Sequence, residues 1–274
     1  MAKILSFLSW NVENFSNKRA RVDRVVDQIA NENPDVFALY EVKGAAVFSA
    51  MVEKMPNYHF TITETANSAL PEILVGVRNS LTSFVTQRDE LQSKVPTLRP
   101  GALATITKEG QNYSFLFLHL KSFDGPRDWG LRDDMFAHVS SLKRKIDKIT
   151  PNNRKANFVA LGDINTMGMD PSYNDKINLD GAQELAFVDK RMGAKINGMR
   201  RLEKTHAQTW WNGKDNWEPS SLDHVYAAEH LTFKKFGAAE VAVKGWVEET
   251  TASKKKAWIE KFSDHCLLYG ELHR

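Results

Sequence analysis

The chain has 274 residues, enough for a sizeable core, and its 42% hydrophobic and 26% charged residues are the balance of an ordinary soluble globular protein rather than a disordered one. A single cysteine, Cys266, excludes an intrachain disulfide and a cysteine-based zinc site, and no apolar run approaches the length of a membrane span. The net charge of +3 and a pI near 8.8 permit a phosphate polyanion as partner without requiring one.

The first ten residues lack a small-residue cleavage site and run directly into a strand, so the chain reads as unprocessed and cytoplasmic. That strand, Ile4 to Trp10, delivers Asn11 at its end. Val22, Val25, Val26 and Ile29 recur at helical spacing until Asn33-Pro34 stops the helix. Asp35 to Tyr40 is a second buried strand, and it ends in Glu41. A short helix through Phe48, Met51 and Val52 precedes a strand at Tyr58 to Ile62. Glu72 to Arg78 carries its carboxylate at the beginning, which suits an antiparallel neighbour of the preceding strands.

Gln87 to Pro100 is a polar, proline-containing loop, followed by the hairpin strands Ala102 to Thr107 and Tyr113 to Leu118, the second ending in His119. Met135, Val139, Leu142, Ile146 and Ile149 mark one face of a long helix closed by Pro151. Phe158 to Leu161 is then a buried strand whose end opens through Gly162 into Asp163 and Asn165. Residues 166–204 form a long polar region with a helix near Gly181 to Val188. Thr209 to Trp211, Ser221 to Tyr226, Leu231 to Phe236 and Ala239 to Val243 read as strands. A lysine-rich helix around Trp258 leads to a last strand from Ser263 to Leu272. No linker or solenoid repeat divides the chain, so residues 1–274 read as one domain.

Polar residues thus recur where buried strands end. The ordered set Trp10-Asn11, Tyr40-Glu41, Glu72, His119, Gly162-Asp163-Ile164-Asn165, Ser221-Leu222-Asp223-His224 and Ser263-Asp264-His265 resembles the endonuclease/exonuclease/phosphatase superfamily, in its deoxyribonuclease I-like branch. The resemblance implies an α+β fold, a four-layer α/β/β/α sandwich of two packed mixed β-sheets flanked by helices. It also implies a phosphodiester-cleaving site using one or two Mg²⁺ or Mn²⁺ ions. By resemblance, Glu41, Asn11 and Asp264 hold metal. Asp163 and Asn165 position the attacking water or the phosphate and can hold a second ion. His265 is the general base, partnered by Asp223, and His119 is the leaving-group acid, paired with Glu72. Tyr40 and Ile164 stand where the family often has glutamine and phenylalanine, which are packing changes beside the ligands.

The chemistry of phosphodiester hydrolysis asks for the same parts: a hard cation, a base near neutral pKa and a group to assist the leaving oxygen. Arg200 and Arg201 belong to a basic cluster between the Asp163 and Asp223 strands that reads as phosphate contacts; Arg127 and Arg132 follow the His119 strand, where either can grip a phosphate or pair with Asp124 or Asp128; and Trp217 lies in a loop where it can stack on a base or pack the loop itself. The expected activity is a DNA endonuclease of low sequence specificity, acting as a monomer without membrane insertion. A phosphatase or sphingomyelinase-like phosphodiesterase on this scaffold, and an inactive nucleic-acid-binding module, are the alternatives; the second predicts loss of a central acid or histidine, and all are present.

Overall fold

The computed structural model describes residues 2–16, 18–43, 45–65, 72–151, 155–193, 195 and 197–274. Two mixed sheets pack face to face. The first joins β1 (Lys3–Phe15), β2 (Val36–Val42), β3 (Tyr58–Ile62), β4 (Glu72–Arg78), β11 (Thr232–Phe233), β12 (Ala242–Lys244) and β13 (Leu267–His273) in the order β11-β13-β1-β2-β4-β3, with β12 also on β13. The second joins β5 (Thr82–Arg88), β6 (Gly101–Lys108), β7 (Gln111–His119), β8 (Asn157–Asp163), β9 (Met199–Arg201) and β10 (Asp223–Ala228) in the order β5-β6-β7-β8-β10-β9.

Alternation along the strands divides the apolar residues between layers. Phe7, Val36, Ala38, Val75, Ala104, Phe115, Phe117, Val159, Leu161 and Val225 face inward and form the core between the sheets. Leu8, Trp10, Phe37 and Leu39 face outward under helices α1 (Arg19–Glu32) and α2 (Ala45–Lys54). Leu116, Leu118, Phe158 and Ala160 lie under α3 (Pro126–Ile149) and α4 (Gly181–Met192). The result is the expected four-layer α/β/β/α sandwich. Helix α5 (Ala252–Lys261) adds Trp258, which packs on Trp10 with Phe262. Among the described residues no helix is long and apolar enough to cross a membrane.

The inward rows lead straight to the site. Phe115 and Phe117 are followed two residues on by His119, Val159 and Leu161 by Asp163, and Phe7 and Ser9 by Asn11. Within the second sheet, His119 and Asp223 each pair in register with Asp163 from opposite sides. Gly162 sits at φ 142°, and a Cβ there would lie 2.0 Å from the Leu118 carbonyl oxygen and 2.6 Å from the Tyr40 hydroxyl. Both obstacles are deeply buried, so Gly162→Ala is expected to lose at least about 3 kcal/mol of stability or to yield insoluble protein. A chemical denaturation midpoint equal to that of the parent protein would contradict this.

Several elements differ from the sequence reading. Thr82–Arg88 is a strand at the edge of the second sheet, and the expected loop from Gln87 begins inside it. Thr209 to Trp211 makes only isolated bridges, from Trp210 to Ser220 and to His265. Met199–Arg201 is a short strand in what reads as a polar connection, while α4 forms where a helix is expected, closed at its start by an Asp180–Gln183 capping box.

Candidate active site

The strand ends meet in a pocket of about 570 Å³. Asp163 is its hub. Its Oδ2 accepts a hydrogen bond from Asn11 Nδ2 at 2.9 Å, which links the two sheets, and lies 3.5 Å from His119 Nε2 and 3.8 Å from His265 Nε2. Its Oδ1 accepts from the Asn165 backbone N–H at 3.3 Å. Asn165 turns in the left-handed region, at φ 50°, and its Nδ2 donates to the Leu120 carbonyl. Burial, with the Asp223 and Glu41 charges nearby, pushes the Asp163 carboxyl up to about 7 against the pull of His265 and Asn11.

His265 Nδ1 and Asp223 Oδ2 are 2.8 Å apart, both side chains buried. This expected pair is present. Burial alone would lower the imidazole, but Asp223 and Asp163 outweigh it and push His265 up to about 10. The dyad is fastened from several sides. Thr209 Oγ1 accepts the Leu222 and Asp223 N–H groups, the Thr209 carbonyl accepts the Cys266 N–H, and Trp10 Nε1 donates to the His265 carbonyl. Lys204, half-buried beside the dyad, donates to the Asp223 carbonyl and Ser221 Oγ.

Glu41 stands at φ 64°, where the registers of β1 with β2 and of β2 with β4 both shift. This irregularity re-aims the side chain. Its Oε2 accepts the Asn14 N–H at 2.9 Å and its Oε1 accepts Asn11 Nδ2 at 3.3 Å. Asp264 lines the same pocket, with one oxygen fixed by Trp210 Nε1 at 2.7 Å. Glu13, also on the rim, is raised by burial and by the Asp264 and Glu41 charges. Such crowding of carboxylates, with an amide beside them, is the donor chemistry a hard divalent cation selects. Asp163, Asp223 and His265 also place ligand atoms within 4.8 Å of one another. We favour the Glu41–Asn11 side for a cation, because the His265–Asp223 contact is already a short hydrogen bond.

Other expectations need correction. Glu72 does not pair with His119: its carboxylate accepts from Thr63 Oγ1, Thr65 Oγ1 and the Thr65 N–H, whereas His119 Nδ1 is buried without a partner among the described residues. Burial, helped by the Arg99 and His265 charges, holds His119 well below the usual imidazole range, so it is neutral near pH 7. Arg200 pairs with Glu240 and Arg201 with Asp189, away from the pocket. Arg127 is exposed in the first turn of α3 and does not line it either. Trp217 does line it.

Arg132 is fully buried. It pairs with Glu184 of α4 and donates to the carbonyls of Lys121, Phe123 and Gly168, while Glu184 accepts the Gly168 N–H. It therefore ties two loops of the pocket wall to two helices. Arg132→Met is expected to cost about 3–5 kcal/mol, because it leaves Glu184 charged and buried without its partner. Thermal or urea unfolding measures this, and a loss below about 1 kcal/mol would contradict the assignment.

The sequence reading overlooks Arg99, which ends the polar loop before β6. Its guanidinium lines the pocket with Nε buried and unpartnered among the described residues. Burial lowers its pKa while Glu41, Asp163 and Glu72 hold it up. A desolvated cation with a free N–H beside the acids is a seat for an oxyanion.

A family model for the endonuclease/exonuclease/phosphatase family matches residues 8–265. Among solved structures, TDP2 of D. rerio complexed with single strand DNA product is similar at 17% identity and TM-score 0.68, covering 98% of this chain and 99% of that one. Truncated TDP2 of Caenorhabditis elegans has 16% identity and TM-score 0.68, over 98% and 97% of the two chains. A mannosyl-6-phosphatase of Bacteroides thetaiotaomicron has 13% identity and TM-score 0.63, over 98% and 100%. A search of curated proteins finds no match. Enzymes of the matched family generally depend on a divalent metal, and the buried acid and histidine group agrees with that. With these polar residues brought to one pocket in a four-layer sandwich, the chain belongs to the endonuclease/exonuclease/phosphatase family.

Proposed function

We propose that the chain is a divalent-metal-dependent nuclease that hydrolyses the DNA backbone with little sequence preference. The observation that carries this reading is the convergence of the Asp223–His265 pair, Asp163, Asn11 and Glu41 on one pocket that Arg99 also lines, its Nε unpartnered among the described residues. Similarity to a TDP2 structure holding a DNA product supports nucleic acid as the substrate class.

When bound at Glu41 and Asn11, with Asp264 beside them, Mg²⁺ or Mn²⁺ supplies positive charge that offsets the clustered carboxylates and the developing charge on the phosphoryl oxygens. Arg99 holds a non-bridging phosphate oxygen. Asp223 fixes the His265 ring through Nδ1 and leaves Nε2 facing the pocket; without a cation the surrounding carboxylates hold a proton on the ring, and with their charge offset by one the ring would release it, leaving Nε2 to take the proton of the attacking water. Asp163 and Asn165 orient that water, Asp163 through the same oxygen that faces both histidines. His119, neutral, donates a hydrogen bond from Nε2 to the oxygen on which charge develops; this replaces the proton-donating role expected of a charged imidazole.

Hydrolysis of bis(p-nitrophenyl) phosphate beside p-nitrophenyl phosphate, and of DNA beside phosphomonoesters of sugars, tests the reading. The expected result is metal-dependent turnover of the diesters and DNA, abolished by EDTA. Faster turnover of the monoesters would replace it with a phosphatase.

A further inference from the structure

The pocket wall beyond the catalytic residues is apolar and aromatic. Phe123, Met167, Leu185, Trp217 and Leu222 line it. A nuclease that grips a duplex needs several lysines and arginines along both backbones. Here Arg132, Arg200 and Arg201 are each ion-paired elsewhere, and Lys121 is paired with Asp128. What the rim offers in their place is two exposed rings.

Phe123 is 64% exposed and Trp217 is 50% exposed, although each carries a large apolar surface. Phe123 also stands at φ 75°, a left-handed conformation that costs a non-glycine residue free energy. Other phenylalanines are exposed too, Phe84 and Phe187 among them, but only Phe123 of these lines the reaction pocket. Its N–H donates to Met167 Sδ at 3.1 Å, Arg132 takes its carbonyl, and the Lys121 ammonium sits 4.7 Å from its ring centre. Trp217 is fixed as well: its ring meets Trp210 edge-to-face at 6.1 Å, its carbonyl accepts Trp211 Nε1 at 2.9 Å, and Trp210 in turn is bonded to Asp264. Both residues are thus anchored at the mouth of the reaction pocket, one on each flanking loop, and neither ring is spent on the core.

We propose that Phe123 and Trp217 form an aromatic seat for an unpaired nucleobase beside the scissile phosphate, so that the substrate is single-stranded nucleic acid. The inference rests on the nuclease reading and narrows it. A base inside a duplex is stacked on both faces and offers none to a side chain, whereas an unpaired base stacks on any aromatic ring irrespective of its identity. The pocket, at about 570 Å³, lies in the range of sites that enclose a single small ligand, about 300–1,000 Å³. Anchoring the backbones of both residues before binding lowers the entropic cost of the contact.

The test is fluorescence anisotropy in EDTA with three labelled probes: a short single-stranded oligonucleotide, the same strand built wholly of abasic units, and the blunt duplex. The intact single strand is expected to bind about tenfold or more tighter than the base-free strand, and tighter than the duplex. Phe123→Ala and Trp217→Ala should each shrink the ratio of intact to base-free binding. Equal binding of intact and base-free strands by the parent protein, tightest binding of the duplex, or no binding of either strand would each overturn the proposal without any variant being needed. Cleavage of the intact strand in Mg²⁺ or Mn²⁺ is read in parallel. Base-dependent binding without cleavage would overturn the nuclease reading and leave the seat; cleavage with base-independent binding would do the reverse.

Discussion

Replacing His265 with glutamine is expected to lower kcat by roughly 10²–10⁴-fold, the range that a positioned general base contributes, with KM changed little. Among the described residues, the imidazole is the only group in the site that combines a fixed carboxylate partner with a second nitrogen turned toward Asp163 and the pocket: Nδ1 is 2.8 Å from Asp223 and Nε2 is 3.8 Å from Asp163. Glutamine is chosen because its amide can still donate to Asp223, so that a buried carboxylate is not left without a partner and the fold is not the variable that changes. Steady-state kinetics on a phosphodiester substrate, with circular dichroism as a control, provide the measurement. A well-folded variant that keeps more than about a tenth of the parent kcat would remove His265 from the role of base.

Glu41→Gln is expected to raise the metal concentration for half-maximal activity by at least about 10–100-fold. Changes to groups that merely support a ligand already reach that range, and Glu41 is placed as the ligand itself. Its left-handed backbone and its two hydrogen bonds, from Asn14 N–H and Asn11 Nδ2, aim the carboxylate with a conformational cost that packing alone does not explain. Glutamine keeps the shape and removes the charge. Calorimetric titration with Mn²⁺ separates binding from turnover, since it needs no substrate. An unchanged metal midpoint in both measurements would move the cation away from Glu41, and the Asp163, Asp223 and His265 group would become the next candidate.

The parts of the site that sequence reveals are those written along a strand. Asp163 and His119 follow inward-facing apolar rows by two residues, and that period is visible in Val159-Ala160-Leu161-Gly162-Asp163 without coordinates. The Asp223–His265 pair follows from resemblance, and the fold brings its two strands together. Charge pairing across the fold is different, because it depends on which acids the topology delivers. Arg132, Arg200 and Arg201 read as phosphate contacts until Glu184, Glu240 and Asp189 are seen beside them. Glu72 likewise reads as a partner of His119 until Thr63 and Thr65 are found to take its oxygens. Arg99 hides for the opposite reason: it lies in a polar, proline-flanked loop, and only the desolvation of its guanidinium against Glu41 and Asp163 marks it. The edge strand Thr82–Arg88 is missed because an edge needs no continuous apolar run, and its side chains are at most partly buried.

The most direct test of a metal-dependent nuclease is incubation of the protein with circular single-stranded DNA in Mg²⁺, in Mn²⁺ and in EDTA, beside His265→Gln. The expected result is conversion of circles to linear strands and then fragments in at least one of the two metals, none in EDTA and far slower conversion by the variant. Circles that stay intact in both metals, or cleavage that persists unchanged in EDTA or with the variant, would contradict the account.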